Sequence, residues 1–184
     1  MNNEAVLTQN WKIDTNHSLL QFRTKHLGLA WISGSFSEYE GAVTLGPEGT
    51  LENGEVKLNI FTDSIQTGNE MRDNHLKTPE FFDAFTYPDI SFHSTSITPA
   101  GKDLYTLAGQ LCIKDHTKEI SLEASYKGQT SDMWGNNVIV FQVTGSINRL
   151  DYGVTWHHLL DNGIPVLSNE VFFDMTVELI PSED

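Results

Sequence analysis

Residues 139–147 have the sequence IVFQVTGSI, in which apolar residues and one glycine occupy every second position from Ile139 to Ile147. Such alternation is typical of a β-strand with one face in a core and one in solvent. The same alternation recurs in segments 20–24, 32–36, 56–60, 90–92, 107–113, 120–124 and 171–179. The pattern therefore predicts roughly eight or nine short strands, which is typical of a β-barrel or a β-sandwich.

Residues that favour turns separate many of these segments. They are Gly46–Gly49 (GPEG), Asn53-Gly54, Pro99–Gly101 (PAG) and Gly135–Asn137 (GNN). Glycine and asparagine tolerate positive φ, and proline fixes its own φ, so we expect the chain to turn at each of these places.

Residues 67–87, TGNEMRDNHLKTPEFFDAFTY, break the alternation. We expect a short helix over residues 70–76, with Asn69 as its N-cap, and a second turn that Pro79 opens. This lid segment (residues 67–87) is rich in phenylalanine and would cover one open end of a barrel. Residues 156–168 form a second irregular stretch, which we expect to be a loop at a rim.

The inward-facing positions leave the state of the interior open. An eight-stranded barrel is at the size at which side chains either fill the interior or leave space for one ligand. Small inward residues are consistent with a cavity and equally with tapered packing. They are Gly34, Gly109, Ala124 and Gly145.

Composition restricts the function. The chain has 184 residues, enough for one domain with a core of its own, and its one cysteine, Cys112, excludes an internal disulfide. Eleven basic against 25 acidic side chains give a net charge of −14, which repels nucleic acid and anionic headgroups. No apolar run approaches the roughly 20 residues that cross a bilayer, so we expect neither nucleic-acid binding nor stable membrane insertion.

An ordered series of motifs runs along the chain. It consists of Asp14-Xaa-Xaa-His17-Ser18, Phe22, His26, Gly34-Xaa-Phe36, Gly41, Ser64-Ile65-Xaa-Thr67, Arg72-Asp73-Xaa-His75-Leu76, Phe81-Phe82-Asp83, Tyr87-Pro88-Xaa-Ile90-Xaa-Phe92, Gly109-Xaa-Leu111-Xaa-Ile113-Lys114 and Asn148-Arg149-Xaa-Asp151-Tyr152-Gly153. Each motif alone is weak, but the ordered series over roughly residues 11–180 resembles the YceI-like proteins. The chain departs from the family at Asp115, where a glycine is usual.

The resemblance implies an all-β fold, a lipocalin-like antiparallel eight-stranded extended β-barrel with a short helical lid, formed by one domain over residues 11–181. It also implies a protein that is often dimeric, so we expect a homodimer. Many relatives are periplasmic. Residues 1–10 show no secretory leader, so the expected location is cytoplasmic for the sequence as given and periplasmic if a leader has been removed.

On the same resemblance, the barrel holds a polyisoprenoid, an isoprenoid quinone or a similar long amphiphile. The residues expected to line the interior are Leu20, Phe22, Phe36, Leu58, Ile60, Phe92, Leu111, Phe141, Phe173 and Met175. The residues expected to close it are Met71, Leu76, Phe81, Phe82 and Phe85, with Arg72 and His75 beside the ligand's head. We expect no cofactor other than this ligand.

The headgroup is expected to be neutral. Basic residues are few, and those that could meet an anionic head are Arg72, His75 and Lys77 beside the lid, with Arg23, Lys25 and His26. The net charge of −14 also opposes a free anion. No HxH, HExxH or CxxC spacing occurs, so no metal site is expected.

Two other functions stay open. His75 and Asp73 at the mouth could serve a small-molecule isomerase or hydrolase, although no nucleophile accompanies them. A filled barrel could instead act through its surface.

Several polar and aromatic residues have expected structural roles. Arg72 and Asp73 are expected to pair with each other or with the barrel rim. Asn148, Arg149 and Asp151 are expected to bond backbone at a turn or at the barrel closure. Cys112 is expected to face outward or to lie at a dimer contact. The residues that could contribute to a dimer are Trp31, Trp134 and Trp156.

Overall fold

The computed structural model describes residues 9–46 and 49–182. The strands are β1 (Gln9–Ile13), β2 (Leu19–His26), β3 (Ala30–Phe36), β4 (Tyr39–Leu45), β5 (Glu55–Phe61), β6 (Ile65–Gln66), β7 (Asp89–Gly101), β8 (Leu104–Ile113), β9 (His116–Ser131), β10 (Asn137–Asn148) and β11 (Leu167–Pro181). The described residues also contain the α-helix α1 (Glu70–Leu76) and 3₁₀ turns over Thr62–Ser64 and Arg149–Tyr152.

The sheet closes into an eight-stranded antiparallel barrel, as expected. Strands β1, β4, β5, β7, β8, β9, β10 and β11 follow one another around the ring, and β11 pairs back to β1. The closing pair aligns Ile13 with Leu179. Strand β11 is long enough to continue past β1 and to pair with β2 as well, from Leu167 to Thr176. Strands β2, β3 and β6 therefore lengthen the barrel at one end.

The antiparallel order sorts the connections into two ends. The lid end carries the connections β2–β3, β6–β7, β8–β9 and β10–β11, so that the lid segment and residues 149–166 meet there. The far end carries the connections β4–β5, β7–β8 and β9–β10. At the far end Trp11, Leu45 and Leu51 are all at most 4% exposed and belong to one core cluster, so this end is closed by packing.

The inward faces agree with the alternation. In β10, Ile139, Phe141 and Val143 are buried, whereas Gln142 lies outside and its side chain bonds Asp174 of β11. The small inward residues are covered by their neighbours: a methyl group added at Gly34 or Gly109 would overlap the ring of Phe22 or Phe92, respectively. These glycines therefore seat aromatic rings from adjacent strands and do not themselves create empty space.

The turns depart from expectation in two places. Pro99–Gly101 was expected to turn but belongs to β7, whose register shifts there, and the chain turns after it, with Asp103 at φ 58°. A register shift of this kind absorbs a proline that cannot donate to the ladder. In the β8–β9 turn the residue with positive φ is Lys114, at 57°. Position 115 therefore does not require a glycine, and Asp115 is tolerated there. Pro47 and Glu48, the centre of the first expected turn, lie outside the described residues.

Candidate functional site

The barrel encloses a cavity of about 400 Å³. This is within the size of small-molecule sites and well above the roughly 150 Å³ of an engineered void that takes up benzene. The expected site residues that line it are Leu20, Phe22, Phe36, Leu58, Ile60, Arg72, His75, Leu76, Phe81, Phe82, Phe92, Leu111, Phe141, Phe173 and Met175. The structure thus contains an open interior, whereas the filled-barrel hypothesis requires an interior filled by side chains.

On the β2, β3 and β11 side of the wall, inward side chains keep accessible surface toward the cavity. Phe22, Phe36, Phe173 and Met175 face inward, yet each is only half-buried, whereas Phe92 on the opposite arc is 6% exposed. Inward residues with accessible surface lack packing partners on their inner side. A ligand in the cavity would supply those contacts.

Met71 and Phe85 were expected to close the cavity, and neither lines it; their side chains are 83% and 99% exposed. In α1 the face toward the cavity carries Arg72, His75 and Leu76, and Met71 lies about a quarter-turn away from that face. Phe85 follows the buried Ala84 in a tight turn and points outward. These two residues belong to the outer surface of the lid end.

Helix α1 forms where the sequence predicted it. The side chain of Asn69 accepts a hydrogen bond from the backbone N–H of Arg72 at 3.0 Å, which is the expected N-cap. Behind the helix, His75 lies edge-on to Phe81, and Phe81 stacks on Trp156 with ring centroids 5.4 Å apart. Trp156 was expected as an exposed dimer contact; it is half-buried and lines the cavity.

The polar residues of the lid are joined through Thr67, at the barrel rim directly after β6. Arg72 donates from Nε to Thr67 Oγ1 at 2.7 Å and from Nη2 to the Thr67 carbonyl at 2.8 Å. The Asp73 carboxylate accepts from the Thr67 backbone N–H at 2.8 Å and from its hydroxyl. Of the two expected arrangements, the structure shows pairing with the rim.

His75 bonds Glu80, with 2.6 Å between Nε2 and Oε2. Asp73 is held by Thr67 instead, so the His75–Asp73 pair on which the isomerase or hydrolase hypothesis depends is not formed. Two residues apart on a helix, these side chains project in different directions. Lys77 pairs with Asp63 at 3.3 Å and does not line the cavity.

Arg149 bonds backbone at a turn, as expected, but it also lines the cavity, which was not expected. It is 4% exposed, and it donates from Nε to the Ser168 carbonyl and from Nη1 to the carbonyls of Val154 and Trp156. A fourth bond runs from Nη2 to Asn169 Oδ1 at 3.2 Å. Burial lowers the pKa of the Arg149 guanidinium.

Tyr152, in the same 3₁₀ turn, also lines the cavity and is 1% exposed. Within the described part of the chain its hydroxyl has no hydrogen-bond partner. Burial is the main reason that the pKa of Tyr152 is raised to about 12.

A separate polar cluster lies at the bend between β1 and β2. His17 Nδ1 is 2.8 Å from Asp14 Oδ2 and 3.6 Å from Glu178 Oε1. The hydrogen bond between His17 and Asp14 lowers the pKa of Asp14 and raises that of His17. Motif spacing could not reveal this cluster, because Glu178 joins it from the other end of the chain. The ion pairs account for the arrangement.

Comparison with known proteins agrees with this architecture. The family model described as YceI-like domain matches residues 11–179. A UPF0312 protein of Pectobacterium carotovorum is 35% identical over 153 residues, which are 82% of this chain and 79% of the relative. This chain belongs to the YceI-like family.

Solved structures share the fold of this YceI-like protein. Burkholderia cenocepacia BcnA superposes with a TM-score of 0.78 at 22% identity, over 90% of this chain and 98% of BcnA. A polyisoprenoid binding domain from Saccharophagus degradans, implicated in plant cell wall breakdown, superposes with a TM-score of 0.67 at 16% identity, over 94% of this chain and 98% of that domain. In the described ranges of the YceI-like chain, no helix has the length and apolar character needed to span a membrane.

Six cavity-wall residues at the lid end of this YceI-like barrel were not among the predicted site residues: His26, Arg149, Tyr152, Val154, Trp156 and Val166. All six lie at the lid end, and five of them belong to the β10–β11 connection. The motif at residues 148–153 marked that connection, but its position over the cavity depends on how β10 and β11 close the barrel.

Proposed function

We propose that this YceI-like protein binds one long apolar lipid inside its barrel and stores or carries it without chemical change. The ligand class is a polyisoprenoid, an isoprenoid quinone or a similar amphiphile. The observation that carries the proposal is the cavity of about 400 Å³, bounded by half-buried phenylalanines and closed at the far end. The polyisoprenoid binding domain of Saccharophagus degradans, which shares the fold, supports the choice of ligand class.

Apolar burial is sufficient to hold such a ligand. A prenyl chain that buries ~600 Å² of apolar surface gains on the order of 15 kcal/mol before costs, at ~25 cal/mol per Å². Lost motion and chain ordering consume several to ~15 kcal/mol of that gain. Micromolar binding corresponds to about −8 kcal/mol, so it needs no strong polar contact when these costs stay at or below about 7 kcal/mol.

Carriage without turnover is supported by the polar groups of the lid. His75 is bonded to Glu80, and Asp73 is bonded to Thr67, so neither is free to act on the other. Among the described residues that line the cavity there is no carboxylate and no cysteine. If the lipid extracted after incubation differs chemically from the lipid supplied, carriage without turnover is wrong.

A bulky substitution on one strand tests the cavity as the binding site. Val171 is half-buried and lines the cavity, whereas Phe172, on the outer face of the same strand, packs against Trp31. Val171→Trp should fill the cavity and reduce the lipid recovered by organic extraction several-fold, and Phe172→Trp should retain the wild-type amount. Equal retention by two folded variants would place the lipid elsewhere. The mass of the native complex also tests the expected homodimer.

A further inference from the structure

Arg149 is a buried charge without a counter-ion. Its four hydrogen bonds go to three backbone carbonyls and one amide oxygen, all neutral. Within residues 9–46 and 49–182, no carboxylate forms an ion pair with it. Burial of an unpaired charge is costly, and a compensating anion would remove part of that cost.

The same turn leaves two donors unused. A guanidinium has five N–H groups, and the four bonds of Arg149 leave one N–H on Nη2. The hydroxyl of Tyr152, 1% exposed, has no partner in the part of the chain that the structure describes. A buried donor without an acceptor is uncommon in folded proteins, and here both donors belong to side chains of the cavity wall.

The charge of the wall is opposite to that of the whole protein. The chain carries a net charge of −14. The basic residues of the wall are Arg72, Arg149, His26 and His75, and among the described residues no carboxylate lines the cavity. Arg72 adds a third source of donors, because its Nη1 makes no hydrogen bond within the described residues. The overall charge, which suggested a neutral head, therefore does not represent the environment that a bound head would meet.

We propose that the cavity selects amphiphiles whose head is a small oxyanion, and that Arg149 and Tyr152 hold this head at the lid end, with Arg72 beside it. The proposal rests on the proposed lipid-binding function and names the head of the ligand. A phosphate monoester and a carboxylate offer the same chemistry, a compact anion with several acceptor oxygens.

Ligands that share a tail and differ in the head test the proposal on the wild-type protein. The pairs are geranylgeranyl phosphate with geranylgeraniol, and palmitate with hexadecanol, each used to displace a fluorescent apolar probe. Charge-assisted hydrogen bonds should make at least one anion bind roughly tenfold to a hundredfold tighter than its alcohol. The pair with the larger ratio distinguishes a phosphate head from a carboxylate head.

Substitutions in the wall, with one control outside it, test whether the wall causes the preference. Arg72→Gln and Lys77→Gln each remove one positive charge from the lid segment, but only Arg72 lines the cavity. Arg72→Gln should reduce the ratio of anion to alcohol affinity several-fold, and Lys77→Gln should leave it unchanged. Arg149→Gln should abolish the preference; if that variant does not fold, Tyr152→Phe, which keeps the ring, should lower the ratio.

The dependence of binding on salt concentration distinguishes the effect of the cavity-wall charges from that of the surface charges. The acidic surface repels free anions, and salt screens this repulsion, whereas buried charges are screened much less. The preference should therefore hold or grow as salt is raised. Alcohols that bind as tightly as their anions in both pairs would overturn the oxyanion proposal and leave lipid binding intact. Failure of all four ligands to bind would overturn both.

Discussion

The indole of Trp156 stacks on the ring of Phe81, with centroids 5.4 Å apart and planes inclined by 25°. This contact joins the two irregular segments of the lid end, the lid segment and the β10–β11 connection. Phe81 is 5% exposed and both rings border the cavity, so the contact forms part of the cover over the proposed ligand.

Trp156→Ala should speed release of a bound lipid by about two- to tenfold, since an aromatic pair contributes roughly 0.5–1.5 kcal/mol beyond area burial. Stopped-flow transfer of a fluorescent lipid to acceptor vesicles measures the rate. Trp134→Ala is the control, because Trp134 is 77% exposed in the β9–β10 turn at the far end. Equal release rates for the two variants would show that the stack does not cover the ligand.

Leu179→Ala should lower the free energy of unfolding by about 2–5 kcal/mol, the usual cost of truncating a buried leucine. Leu179 is 1% exposed and pairs with Ile13 where β11 closes on β1. Met133→Ala, at a site 84% exposed, should change stability by no more than about 0.5 kcal/mol. Urea unfolding measures both values, and a similar small change in each would contradict closure at this pair.

Thr67→Val should lower the free energy of unfolding by about 1–3 kcal/mol, because it removes the hydroxyl that bonds both Arg72 and Asp73. The loss should appear first as faster proteolysis within the lid segment. Thr117→Val, at an exposed position of β9, should not change the cleavage rate. Cleavage of the lid segment at the wild-type rate in Thr67→Val would show that Thr67 does not anchor it.

Tyr152 should make the ligand-free protein less stable at high pH. Its pKa is about 12 in the folded state against 10.0 for an ordinary tyrosine, so the unfolded state loses its proton first as pH rises. The contribution of protonated Tyr152 to the free energy of unfolding is complete below pH 10 and is lost as pH rises toward about 12. Tyr152→Phe should flatten that decline without lowering stability at neutral pH, since it removes an unpartnered hydroxyl. An unchanged decline in thermal unfolding across this range would contradict the assignment to Tyr152.

The local features of this fold were predictable from sequence. Alternation in residues 139–147 assigned the faces of β10 because side chains on a strand alternate with period two. Asn69 was recognised as the cap of α1 because capping needs only a polar side chain three residues before its partner.

The features that the sequence did not reveal depend on distant parts of the chain. The closure of Ile13 on Leu179 joins the first and last strands, and alternation does not name partners. Met71 differs from Arg72 by one helical step, and only the docking of α1 decides which of them faces the cavity. Arg149 lies in the cavity wall because β10 and β11 bring their connection over the lid end. The sequence alone therefore could not predict that this positive charge faces the interior.

Native mass spectrometry of the freshly purified protein shows whether the barrel holds one lipid. We expect a mass above that of the bare chain by one amphiphile per barrel, which organic extraction releases intact. Val171→Trp should lose this added mass, and Phe172→Trp should keep it. A bare mass for wild-type protein that also takes up no added prenyl or acyl lipid would show that the barrel does not bind a lipid.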